Sequence, residues 1–168
     1  MKFLPCAVFA ALTLWCAGCG YTCGQLGHPQ LKTVAVAPVV NETLSYNAAA
    51  QMRNLLCECF TTDGTMKLVS MHSADCIVYA KVTAVSIKES SWSSDSDKFQ
   101  PNEWNCQVTV KYSVILPGRG KPLISEKSAG GSALFTAGPD LEASRVNGQR
   151  QAMYDAAKNI VAAITEAW

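Results

Sequence analysis

Three cysteines stand in the stretch CAGCGYTCG, at positions 16, 19 and 23, directly after an apolar run. Thiols at this spacing can pair as disulfides, ligate a metal, or be modified before the chain folds. The preceding residues favour the last. Met1-Lys2 carries one positive charge, Phe3 to Trp15 holds roughly a dozen apolar residues, and Ala17-Gly18 supplies a small-residue exit, which together make an export signal peptide. A membrane-spanning helix needs ~20 apolar residues, so this run is too short for one. Cleavage after Gly18 would make Cys19 the new N-terminus. Its thiol can become a thioether carrying diacylglycerol, and the freed amine can then be acylated. The alternative is ordinary secretion with cleavage nearby.

The Gly18-Cys19 junction resembles a bacterial lipobox, with Cys16 where a leucine is usual. Cys19 is therefore the expected lipidation site, and acyl chains worth ~0.8 kcal/mol per buried methylene would anchor the chain stably. Gly20 follows it, and the absence of Asp there resembles lipoproteins sent to the outer membrane. The expected location is the periplasmic side of that membrane. Residues 1–18 read as the signal peptide, 19–30 as the lipidated N-terminus and a flexible tether rich in glycine, and 31–168 as a single domain.

Other reactive constellations are sparse. Cys23, Cys57, Cys59, Cys76 and Cys106 remain after export, an odd number whose disulfide pairing spacing does not determine. Cys57 and Cys59 invite a thiol-redox or metal reading, but residues two apart on a helix point ~200° apart. One core and one surface cysteine is the simpler account. The histidines, His28 and His72, lie in no zinc-binding pattern, and no nucleophile elbow, phosphate loop or dinucleotide fingerprint occurs. The expectation is a protein that is not an enzyme, with no metal or cofactor.

The chain without its signal has 150 residues, enough for one domain with a real core, and carries 13 basic and 13 acidic side chains. That balance argues against nucleic acid as a partner. Cations concentrate at two places. The turn Pro117-Gly118-Arg119-Gly120-Lys121-Pro122 presents Arg119 and Lys121 at a hairpin tip, and Lys81 and Lys111 lie on outward strand positions. They can meet phosphates of an anionic lipid, or serve only to solubilise an exposed turn and sheet face. Trp92, Phe99 and Trp104, in and beside the Ser-rich stretch 89–104, can anchor a partner or fold that loop back onto the sheet.

The elements that must position these groups follow from periodicity. LKTVAVAPVV (31–40) reads as a first strand. Ala49, Met52, Leu55, Leu56, Cys59 and Phe60 recur at helical spacing between an expected Ser45 N-cap and an Asp63-Gly64 stop. TMKLVSM (65–71) is a weak strand. CIVYAKVTAVSI (76–87) alternates, with Cys76, Val78, Ala80, Val82 and Ala84 inward, and a long hairpin loop should follow. NCQVTVKYSVIL (105–116) alternates with Cys106, Val108, Val110, Tyr112, Val114 and Leu116 inward. LISEKSAGGSALF (123–135) returns, Gly130-Gly131 marking a bulge or an end. A closing helix from about Leu141 carries Val146, Met153, Ala157, Ile160, Val161, Ile164 and Trp168 on one stripe. The fold class is α+β, a two-layer sandwich with a mostly antiparallel sheet of about four strands and two helices on one face.

Taken in order, Cys19-Gly20-Tyr21, VAVAPVVNET (34–43), SADCIVYAKVTAVS (73–86) and AAKNIVAAITEAW (156–168) resemble the LPS-assembly lipoproteins, the LptE family. The resemblance implies a plug inside a large outer-membrane β-barrel, the LptD-like lipopolysaccharide translocon. Such a plug helps that barrel assemble and helps deliver lipopolysaccharide to the cell surface. On this reading Arg119, Lys121, Lys111 and Lys81 are lipopolysaccharide contacts. The opening strand and turn also look like periplasmic lipoproteins that activate peptidoglycan synthases or act in curli secretion. A third reading is a redox enzyme using Cys57, Cys59 or Cys76.

Overall fold

The computed structural model describes residues 31–92, 101–136 and 140–166. Residues 1–30, with the expected signal peptide and tether and with Cys19 and Cys23, fall outside them, as do Phe99 and Trp168. Eight elements follow one another: β1 (Thr33–Val36), β2 (Val40–Asn41), α1 (Ala48–Asp63), β3 (Lys67–Leu68), β4 (Cys76–Trp92), β5 (Pro101–Ile115), β6 (Ile124–Thr136) and α2 (Leu141–Thr165).

The sheet order is β3-β1-β4-β5-β6, with β2 joining β4 beyond the end of β1. The long β4–β5 and β5–β6 ladders are antiparallel, whereas β1 pairs in parallel with β3 and β4, and β2 in parallel with β4. The sheet is therefore mixed and six-stranded. The additional strands are two residues each, too short for alternation to reveal. The expected first strand is split between β1 and β2 by Pro38, which has no N–H to donate to a ladder.

Both helices pack on one sheet face and against each other. Their apolar stripes, Met52, Leu56 and Phe60 on α1 and Met153, Ile160 and Ile164 on α2, close over Val34, Val78, Val82, Val108, Val110 and Val114 from the sheet. Val146, expected on that stripe from its spacing, is instead half exposed, beside the loop before α1 and away from the sheet core. The expected Ser45 cap also fails. Asn47 holds the N-cap position in the left-handed region (φ 61°) without a capping bond, and Ser45 accepts a hydrogen bond from Gln149 Nε2 at 2.7 Å. The stop at Gly64 holds: its φ of 70° permits the turn, and its N–H closes on Phe60 O.

Gly130-Gly131 marks neither a bulge nor an end, since β6 runs through it unbroken. Gly131 is there for the helix. A Cβ at this position would collide with the α2 backbone at Ala152 O, Ala156 N and Ala156 Cα, so only hydrogen lets α2 come this close to β6. Two α2 side chains then meet the adjacent edge. Ser132 N donates to Asp155 Oδ2 (3.1 Å) and Asn159 Nδ2 donates to Gly130 O (2.8 Å), which satisfies backbone groups that the last strand leaves unpaired.

Asp75 opens β4 and locks β1 beside it. Its carboxylate accepts from Lys32 N (3.0 Å) and Thr33 N (2.9 Å), while Asp75 N donates to Thr33 Oγ1 (2.9 Å). These bonds hold the carboxyl below the usual carboxylate range, the Thr33 hydroxyl contributing most. A depressed folded-state pKa contributes stability that is present above the unfolded value and lost as pH falls through the folded one. Acid titration of thermal stability should therefore show a limb below the ordinary Asp range, and Asp75→Asn should flatten it; an unchanged limb would remove Asp75 from the account.

Candidate functional site

The four cations fall in two separate places. Lys81 and Lys111 are directly opposed in the β4–β5 register, on the sheet face away from the helices. Glu126 of β6 reaches both, at 3.3 Å from Lys81 Nζ and 3.2 Å from Lys111 Nζ, and Glu42 lies 3.7 Å from Lys81 Nζ. Hydrogen bonding to Lys111 and Lys81 lowers the Glu126 pKa, and the Glu126 contact raises that of Lys81. Two cations thus share two carboxylates, and the strip is neutral as it stands.

Arg119 and Lys121 sit in the turn between β5 and β6, where Gly118 (φ 81°) reverses the chain and Arg119 N donates to Leu116 O (3.1 Å). Both are exposed and neither makes an ion pair among the described residues. Five strand residues separate Lys111 from the turn, about 17 Å at the strand rise, so the tip and the strip cannot share one phosphate. The tip lies at the Cys76 end of the sheet, because Ile77 pairs with Ile115. β1 starts at the same end, with Val34 opposite Cys76, so the basic turn and the first described residue, Leu31, share one end of the domain.

The opposite end holds a groove that the sequence reading did not anticipate. It has a volume of about 750 Å³ and lies between the far ends of β4, β5 and β6, the first turns of α2 and the loop before α1. Val85, Ile87, Trp104 and Phe135 provide its apolar walls, with Leu44 and Leu141 at the mouth. Arg145 pairs with Glu142 at 3.5 Å beside it. Trp104 Nε1 is buried without a hydrogen-bond partner among the described residues. Gly148 makes room for the Phe135 ring, whose Cγ would be 2.9 Å from a Cβ there.

The groove escaped notice because β4 changes face. A bulge between Val82 and Ala84 leaves Ala84 exposed, against expectation, and turns Val85 and Ile87 toward the helices. Thr83 Oγ1 bonds Thr109 O across the irregularity at 3.1 Å. The signal was present in the odd step from Val82 to Val85. The expected loop over 89–104 is also shorter, since β4 and β5 stay paired to Trp92 and Pro101.

Thiol chemistry finds no support among the described cysteines. Cys57, Cys59, Cys76 and Cys106 are unpaired, Cys57 half-buried and the other three buried. Burial raises all four thiols, Cys76 to about 11. A redox nucleophile requires the reverse shift. A disulfide-exchange reagent at pH 8 should modify these four slowly in the folded protein and quickly after denaturation; a fast native phase at any of them would restore the redox reading. No three His, Cys, Asp or Glu side chains converge as a metal site, and no helix is long and apolar enough to cross a membrane, among the described residues.

Comparison with known proteins adds what geometry alone does not. The profile of the lipopolysaccharide-assembly family LptE matches residues 31–167. The chain belongs to the LptE family. No curated protein matches it by sequence. Among solved structures it is similar to a protein of Xanthomonas campestris (TM-score 0.57, 8% identity, 83% of this chain and 89% of that one). It is also similar to a hypothetical protein of Chlamydia trachomatis (TM-score 0.52, 14% identity, 82% and 95%). A minor lipoprotein of Acinetobacter baumannii matches as well (TM-score 0.52, 12% identity, 82% and 94%). At these identities the likeness is one of fold: the α+β sandwich of LptE is shared across these chains.

Proposed function

We propose that this LptE-family chain is a non-enzymatic outer-membrane lipoprotein, anchored through Cys19, that seats as the plug of an LptD-like β-barrel, aids its assembly and helps deliver lipopolysaccharide to the cell surface. The match of the family profile to nearly the whole domain carries the reading. The geometry supports it in two ways. Arg119 and Lys121 lie at the end of the sheet where the tethered chain begins, so a lipid anchor holds them near a membrane surface. The outer sheet face carries Gln107, Thr109, Lys111 and Ser113 with a self-neutralised cation strip, which suits a water-filled lumen.

The lipopolysaccharide assignment divides into two measurable parts. Arg119→Gln with Lys121→Gln should weaken binding of purified lipopolysaccharide by at least about tenfold at low salt, since hydrogen bonds to charged groups are worth about 1.5–3 kcal/mol each, and less as salt rises. Glu126→Gln should strengthen binding, because it releases Lys111 and leaves Lys81 with Glu42 alone. Unchanged affinity in the tip variant would reject the tip as a contact, and unchanged affinity in Glu126→Gln would reject the strip.

A further inference from the structure

Beyond Val82 one side of β4 has no paired strand among the described residues. β1 and β2 occupy that side up to this point, where Ala37 N donates to Val78 O and Glu42 N to Val82 O, both at 2.9 Å. From Ala84 onward β4 pairs only with β5 among the described residues. Val78 and Val82 turn their side chains into the core and their carbonyls to this edge. Past the bulge the core-facing residues are Val85 and Ile87, so theirs are the N–H and C=O groups left on the open edge. Unpaired strand edges are ordinarily blocked, as α2 blocks β6 through Asp155 and Asn159. Among the described residues no side chain blocks this edge in that way.

We infer that the open edge of β4 from Ala84 onward, together with the apolar groove beside it, receives an extended segment of a partner protein as an added strand. The backbone edge selects a polypeptide in extended form, because only that meets alternating donors and acceptors along a strand. The groove sets its pattern: apolar side chains at every second position enter between Ile87, Trp104 and Phe135, past the exposed Leu44 and Leu141. Trp104 Nε1, buried in the groove wall, has no acceptor among the described residues. The remaining parts of this chain do not fit the place. Residues 137–139 are three positions long, and residues 93–100 must join Trp92 to Pro101. The N-terminal segment joins the fold at Leu31, three residues before the Val34–Cys76 pair and thus about twelve strand residues, ~40 Å, from Val85, a span that residues 19–30 would cover only when fully extended, with none left to pair. The added strand continues the line that β1 and β2 begin. The inference does not depend on the partner being a barrel.

Hydrogen exchange of the full lipidated chain, alone and in the assembly purified from detergent-solubilised membrane, tests it. The Val85 and Ile87 amides should exchange freely in the isolated chain and at least about tenfold more slowly in the assembly. Val85→Pro removes one edge N–H and spares the β5 ladder, so the variant should fold with unaltered circular dichroism and be lost from the assembly. If that variant does not fold, the exchange measurement on the unaltered chain decides alone. Equal exchange in both states would overturn the inference. Slowed exchange in a dimer of the free chain would give the edge to a second copy and overturn it equally. A copurifying barrel without protection at Val85 and Ile87 would leave the proposed function standing and refute the added strand; protection against a different partner would do the reverse.

Discussion

Replacing Gly131 with alanine is expected to lower stability by about 3 kcal/mol, the upper range for overpacking a well-filled core. The new Cβ would strike backbone atoms of Ala152 and Ala156, which no side-chain rotamer can relieve, so α2 must move off β6. That motion would also break the Ser132–Asp155 and Gly130–Asn159 bonds. The neighbour supplies the contrast. A Cβ at Gly130 would meet only Val108 O, at an ordinary 3.7 Å, so Gly130→Ala should be nearly neutral. With a urea slope of about 1–3 kcal/mol per molar, the Gly131 variant should unfold at least about 1 M earlier than the Gly130 variant. Coincident unfolding curves would mean that α2 does not rest on this strand.

Phe60→Ala is expected to cost about 3–5 kcal/mol. Phe60 is wholly buried in the layer between the helices and the sheet, and is the largest fully buried side chain among the described residues. It belongs to the last turns of α1, where its carbonyl also receives the Gly64 N–H that ends the helix. Truncation leaves a cavity whose walls include backbone-fixed strand residues. Unfolding monitored by circular dichroism and by tryptophan fluorescence should shift together. A loss below about 1 kcal/mol would show that α1 is not part of the cooperative core.

The alternation of residues 105–116 and the stripes of the two helices made the layer order legible, because period 2 and period 3.6 reflect which side is buried. Cys106, Val108, Val110, Tyr112 and Val114 are all inward, as their spacing implies. What escaped was set by contacts between distant residues. The face change after Val82 depends on a bulge against Thr109, so Ala84 was assigned inward and the Val85–Ile87 groove went unseen. Gly131 looked like a strand breaker until the helix opposite it was known. β2 and β3, at two residues each, carry no period to read. The cations showed where charge sits but not that Glu126 already holds two of the four, since that pairing joins three strands.

The division of labour across the domain follows from the same facts. One end holds the first described residue and the basic turn, and the other holds an apolar groove beside a strand edge left unpaired among the described residues. The proposed function turns the first end toward lipid, and the inferred added strand turns the second toward a polypeptide. The most direct test of the central claim is affinity purification of the full lipidated chain from detergent-solubilised outer membrane, with mass spectrometry of whatever accompanies it. The account predicts a large β-barrel at one-to-one stoichiometry; recovery of a cell-wall synthase, or of the chain alone, would contradict it.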